Sequence, residues 1–139
     1  MIKLAYNIFR LLRPRQWIKN LAIFAAITFS GELFNLHVLD KVLIGFIVLS
    51  GLSSATYIIN DIFDIKSDRL HPFKKFRPLA HNDVPINLAI ILAIALVITS
   101  LYMGLRYVTL TFFIITLIYL LLQFLYSFFL KAIAVADIL

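Results

Sequence analysis

Three stretches of the chain, residues 42–59, 84–105 and 107–130, contain no Asp, Glu, Lys or Arg. A helix needs about 20 consecutive apolar residues to cross the hydrocarbon core of a bilayer, and runs of this order leave few other fates for a polypeptide. A fourth run, residues 18–36, is weaker because Lys19 stands at its start and Glu32 near its end. Composition points the same way. Hydrophobic residues make up 63% of the 139 residues and mean hydropathy is +0.99, against roughly 45–50% apolar residues in ordinary soluble domains. The expected fold class is all-α: a polytopic membrane helical bundle of about four transmembrane helices. With no repeat, low-complexity tract or linker, residues 1–139 read as a single transmembrane domain. The basic start and apolar middle of the first segment also suit a signal peptide. Its long basic part and Trp17, an interface anchor, argue instead for a retained span.

The chain has no cysteine, which excludes disulfides, thiolate metal sites and a cysteine nucleophile. Its net charge of +6 lies in two blocks that flank apolar runs, so nucleic acid is the poorest partner and membrane lipids or phosphorylated substrates are better ones. Lys3, Arg10, Arg13, Arg15 and Lys19 form the first block; Lys66, Arg69, Lys74, Lys75 and Arg77 form the second. The intervening connections carry only Lys41 and Arg106, so both blocks are expected on the cytoplasmic side, with the N-terminus in. The connection between residues 84–105 and 107–130 is nearly absent and implies a tight hairpin. The one at about residues 60–83 is long and is where chemistry is expected.

That loop opens with Asn60, Asp61, Asp64 and Asp68. On a continuing helix the three aspartates fall within about 60° of one another, where their charges repel and also oppose the negative pole of the preceding helix. A solvated helix end paired with Lys66 and Arg69 is the ordinary explanation. Three carboxylates on one stripe at a membrane boundary nevertheless call for a compensating charge, which a divalent cation supplies. Oxygen-only donors favour Mg²⁺ over Zn²⁺, and no glycine-containing calcium loop is present. Mg²⁺ commonly completes its shell with substrate phosphate, and Asn60 stands at the edge of the set.

Lys74, Lys75 and Arg77 follow at a distance that lets a turn through Pro72 return them over the stripe as phosphate donors. Arg77 precedes Pro78, which restricts its backbone. Arg13, Arg15 and Lys19 raise the same choice between topology and phosphate contact, with Arg13 and Lys19 the candidates. His71 is a lone loop histidine with no assigned task. Tyr126 and Lys131 read on their own as interface anchors at the exit of the last run.

These residues resemble the UbiA superfamily of intramembrane prenyltransferases, whose first aspartate-rich motif N-D-x-x-D-x-x-x-D is complete here from Asn60 to Asp68. "RPRQWIKN" at residues 13–20 and "DRLHPFKKFRPLA" at residues 68–80 are most similar to the decaprenyl-phosphate phosphoribosyltransferase branch. "YSFFLK", from Tyr126 to Lys131, is similar to the family's Y-S-x-x-L-K segment. Two departures stand out. His81 and Asn82 occupy the place of the family's usual Ser-Gly, and a second aspartate motif D-x-x-x-D, carried by family members with about twice as many helices, has no counterpart. The chain thus resembles the N-terminal half of the fold, to be completed by a missing C-terminal half or a partner chain.

The resemblance implies a bacterial inner-membrane transferase in which Asp61, Asp64 and Asp68 hold Mg²⁺ and act catalytically. Asn60, Lys74, Arg77, Arg13, Lys19, Tyr126 and Lys131 would bind the phosphates of a diphosphate donor. The preferred reaction moves a phosphoribosyl group from phosphoribosyl diphosphate to a polyprenyl phosphate, the polyprenyl lipid lying among the apolar spans. Prenyl transfer from a polyprenyl diphosphate to an aromatic or other acceptor is the alternative. A nonenzymatic membrane protein or assembly partner is the reading from another class.

Overall fold

The computed structural model describes residues 2–127 and is helical almost throughout, with no strand among the described residues. Helix α1 (Ile2–Leu12) ends at Arg13, whose φ of 53° breaks the helix before Pro14. A 3₁₀ helix, Pro14–Ala22, then runs directly into the short helix α2 (Ile23–Phe29), and Gly31 at φ 76° turns the chain. Helix α3 (Leu36–Leu70) contains no proline over 35 residues and stops at His71, which Pro72 forces into extended backbone. After the irregular loop comes α4 (Ile86–Met103), a π-helical turn Gly104–Val108, and α5 (Leu110–Leu125), capped by Thr109 Oγ1 accepting from Phe112 N–H at 3.1 Å. A single residue, Thr109, joins the turn to α5, so the expected tight connection is present.

Two helices of the described residues are long and apolar enough to cross a bilayer, Leu36–Leu70 and Ile86–Val108; Leu110–Leu125 is shorter. At 1.5 Å per residue α3 is about 52 Å long, well beyond the roughly 30 Å of hydrocarbon. Its surplus carries the three aspartates, which therefore stand clear of the apolar run.

The run at residues 18–36 departs from a plain α-helical span. At 2.0 Å per residue in its 3₁₀ part and 1.5 Å in α2, residues 14–29 reach about 28 Å, close to the hydrocarbon thickness that about 20 α-helical residues would need. Nine residues of 3₁₀ helix are unusual, and the packing against α3 accounts for them. Trp17 Nε1 donates to Ser54 Oγ at 2.9 Å and Asn20 Nδ2 donates to Ser50 Oγ at 3.1 Å, while Phe24 meets Phe46 with ring centroids 5.8 Å apart. Three 3₁₀ residues rise about 6 Å, as do four α-helical residues, so a partner every third residue on one strand of the pair meets one every fourth on the other.

The core forms two clusters. Leu11 of α1, Ile58 and Ile65 of α3, Leu79 and Val84 of the loop, and Ala89 and Ala93 of α4 bury one another at the charged end. Val48, Leu52 and Leu120 form the second, deeper in the bundle. Gly51 lets α3 approach α4, because a Cβ there would run into Ser100 Oγ.

Candidate functional site

Residues 14–29 run antiparallel to α3, so the N-terminal basic block before them stands level with the aspartates, while the loop after α3 folds back over the same place. Both base-rich segments thus meet the acidic stripe. Asp61 and Asp68, seven residues apart and so on one face of α3, are 4% and 2% exposed. Asp64, turned about 60° from Asp61, is half-buried.

The charge that compensates this face comes from two arginines. Arg77 Nη1 donates to Asp61 Oδ1 at 3.2 Å and to Asp68 Oδ2 at 2.7 Å. Arg13 Nη2 makes a short ion pair with the same Asp61 Oδ1, and its guanidinium lies over the Tyr57 ring, 4.9 Å from the centroid. With the carboxylates buried and the arginines largely covered, water screens these charge-assisted bonds less than it screens surface pairs. A cleft of about 260 Å³ opens at this point, lined by Arg10, Arg13, Asp61, Phe73, Phe76 and Arg77.

The loop owes its shape to a few bonds. His71 N–H donates to Asp68 O at 3.2 Å and His71 O accepts from Lys75 N–H at 3.3 Å. Its Nδ1 accepts from Phe73 and Lys74 N–H at 3.2 and 3.3 Å, so the ring caps the 3₁₀ turn Lys74–Phe76 that leads to Arg77. The histidine without an assigned task thus ties the acidic helix to the basic turn. Beyond Arg77, Asn82 has φ 62°, a region that glycine fills most readily and that asparagine tolerates better than most side chains. Asn82 therefore meets the backbone demand a glycine would meet there. Its Oδ1 also accepts from Arg69 Nη2 at 2.7 Å, and Arg69 Nε donates to Ala80 O at 3.1 Å.

Of the residues singled out in the sequence, the structure brings Arg13, Asp61, Asp68 and Arg77 together. Asn60 is half-buried on α3 one residue before Asp61, whereas Lys74 and Lys19 are exposed. Tyr126 is 59% exposed and Lys131 lies outside the described residues. Sequence reasoning passed over Arg10, which donates to Phe76 O at 3.1 Å, and the two loop phenylalanines of the cleft. Their only signal was an aromatic residue on either side of Lys74 and Lys75.

The donor set suits a hard cation, since only carboxylate and amide oxygens are available on this face. Among the described residues no three acidic or histidine side chains converge as a ready-made metal cage. Mg²⁺ requires no such cage, being held by one or two carboxylates with phosphate and water completing its shell. The arginine contacts occupy Oδ1 of Asp61 and Oδ2 of Asp68, one oxygen of each carboxylate.

A model of the UbiA prenyltransferase family matches residues 20–139. The chain belongs to the UbiA prenyltransferase family. Polytopic membrane helices are that family's architecture, in agreement with the long apolar helices here. Curated relatives in this family named decaprenyl-phosphate phosphoribosyltransferase are 39% identical in Mycobacterium tuberculosis and 40% identical in Mycolicibacterium smegmatis, each over 97% of this chain. One of the same name from Corynebacterium glutamicum is 39% identical over 70% of the chain. The chain spans 46% of the length of the M. tuberculosis protein and 43% of the M. smegmatis one, so it corresponds to under half of these UbiA relatives.

Proposed function

We propose that this UbiA-family chain carries the donor side of a phosphoribosyl transfer site. Phosphoribosyl diphosphate would bind at the Asp61, Asp68, Arg13 and Arg77 cluster, and a polyprenyl phosphate would be the acceptor. The bond between the anomeric carbon and diphosphate breaks, its electron pair leaves with the diphosphate, and an oxygen of the acceptor phosphate bonds to that carbon. The observation that carries this reading is the convergence of two buried carboxylates, Asp61 and Asp68, on two arginines that line one cleft together with Asp61, supported by the names of the relatives. The aspartates would hold Mg²⁺, which when bound neutralises charge developing on the leaving diphosphate. Arg13 and Arg77, already at the cleft, would exchange a carboxylate oxygen for a phosphate oxygen as the donor enters. The transfer itself is proposed for the site as completed by the further length of fold that the relatives possess. Both basic blocks would face the cytoplasm of a bacterial inner membrane, where the water-soluble donor is available.

The test is equilibrium binding of phosphoribosyl diphosphate to the detergent-solubilised chain, with and without Mg²⁺. Asp61→Asn is expected to weaken Mg²⁺-dependent binding about tenfold or more, as losing a charge-assisted or metal contact does. Unchanged affinity in both Asp61→Asn and Asp64→Asn would sink the site. The family description keeps prenyl transfer as a second reading, and an apolar cleft of about 280 Å³ lined by Ile59, Ile62, Ala93, Ile94 and Val97 supplies room for a prenyl chain. Tighter, Asp61-dependent binding of farnesyl diphosphate than of the sugar donor would favour it.

A further inference from the structure

A second cleft, about 510 Å³, adjoins the first and shares Arg10 and Arg13 with it. Its other lining includes Tyr6, Phe9, Arg15 and Gln16, with three guanidiniums and no carboxylate. Arg13 is answered from the far side by Asp61. Arg10 is held in place by Phe76 O, by Asn7 Oδ1 at 3.4 Å and over the Tyr6 ring at 5.8 Å, contacts that fix its position without neutralising it. Such a cleft is built for an anion of more than one charge.

The opposite rim has another character. Ile2, Tyr6 and Phe9 recur at helical spacing on α1 and are 90%, 62% and 56% exposed. They make an apolar path leading out of the arginine cleft on the face of α1 turned away from the buried Leu11. A free sugar phosphate has no use for this path. A phosphate ester with a hydrocarbon tail matches both halves.

Resting on the phosphoribosyl-transfer reading, we infer that this cleft receives the phosphate of the polyprenyl phosphate acceptor, with the start of its tail along Tyr6 and Phe9. Arg10 and Arg13, shared by the two clefts, set the acceptor's phosphate oxygen beside the donor cleft, and their positive charge offsets the repulsion between two anionic substrates brought close together. The volume lies within the range of small-ligand pockets, enough for a phosphate and its first prenyl units.

The test uses the chain in phosphatidylcholine nanodiscs, with fluorescent farnesyl phosphate and phosphoribosyl diphosphate titrated separately. Arg15 lines only the second cleft and is exposed, so its substitution should leave folding intact, as matching helical content by circular dichroism would verify. Arg15→Gln is expected to weaken farnesyl phosphate binding about tenfold, Arg15→Lys to restore most of it, and Mg²⁺-dependent donor binding to stay within about twofold. Arg10→Gln should weaken the lipid phosphate similarly. Farnesyl phosphate affinity unaffected by both substitutions would overturn the assignment. So would complete competition by an equal mole fraction of phosphatidylglycerol, which would mark a general anionic-lipid cleft. Arg15-dependent binding of farnesyl phosphate in a chain that does not bind the sugar donor would uphold the cleft's ligand and overturn the donor reading instead.

Discussion

Arg77 serves two buried carboxylates through a single guanidinium nitrogen, while Asp61 has a second partner in Arg13. Removing Arg77 leaves Asp68 without that partner in a buried setting, and breaking such a pair costs about 3–5 kcal/mol. Arg77→Gln is therefore expected to destabilise the chain by about 3 kcal/mol in thermal unfolding followed by circular dichroism in detergent. Asp68→Asn in the same background should recover part of the loss, because the remaining group is then uncharged. Strictly additive losses in the double variant would show that the two side chains are not coupled. At this scale the acidic stripe was legible, since helical spacing alone aligns Asp61 and Asp68. The identity of the countercharge was not. Arg13 lies 48 residues from Asp61, and no local pattern announces a contact of that separation. Lys74 and Arg77 were both phosphate candidates in the sequence, with Arg77 set apart by Pro78, and the 3₁₀ turn capped by His71 leaves the lysine exposed and delivers the arginine.

Among the elements, the apolar runs at 42–59 and 84–105 correspond to α3 and α4, and the hydrocarbon requirement made them readable. The helix type of residues 14–22 was not readable, because 3₁₀ and α-helix share most of their residue preferences and the choice depends on what the segment packs against. Here the choice follows from Ser50 and Ser54 of α3, four residues apart, facing Asn20 and Trp17, three apart. The contact between α3 and α4 rests on Gly51 in the same way. An alanine there meets only Ser100 Oγ, the end of a short side chain that can rotate. Gly51→Leu brings a branched side chain into the helix contact and is expected to cost about 1–3 kcal/mol, as overpacking does, with Gly51→Ala well below it. Thermal unfolding of the two variants side by side checks this. Equal midpoints for leucine and glycine would mean that the helices do not approach there.

For the whole molecule, charge asymmetry foresaw that both basic blocks share one end, and Arg13 of the first and Arg77 of the second meet there on the same Asp61. The turn between α2 and α3 lies at the other end of α3, about 37 Å from Asp61 along the helix. The chain has no cysteine, so single cysteines report cleanly on sidedness. Cysteine in place of the exposed Lys74 is expected to react with a membrane-impermeant maleimide only from the cytoplasmic side, and cysteine in place of the exposed Asn35 only from the other. Labelling of both from one side would overturn the proposed orientation. The nine-residue 3₁₀ helix bears on this arrangement as a spacer of fixed gauge. Wound as an α-helix, the same residues would be shorter by about 4–5 Å, more than the length of a hydrogen bond. The depth at which the N-terminal arginine meets the aspartate is thus set by how tightly its tether is wound as well as by how many residues the tether contains.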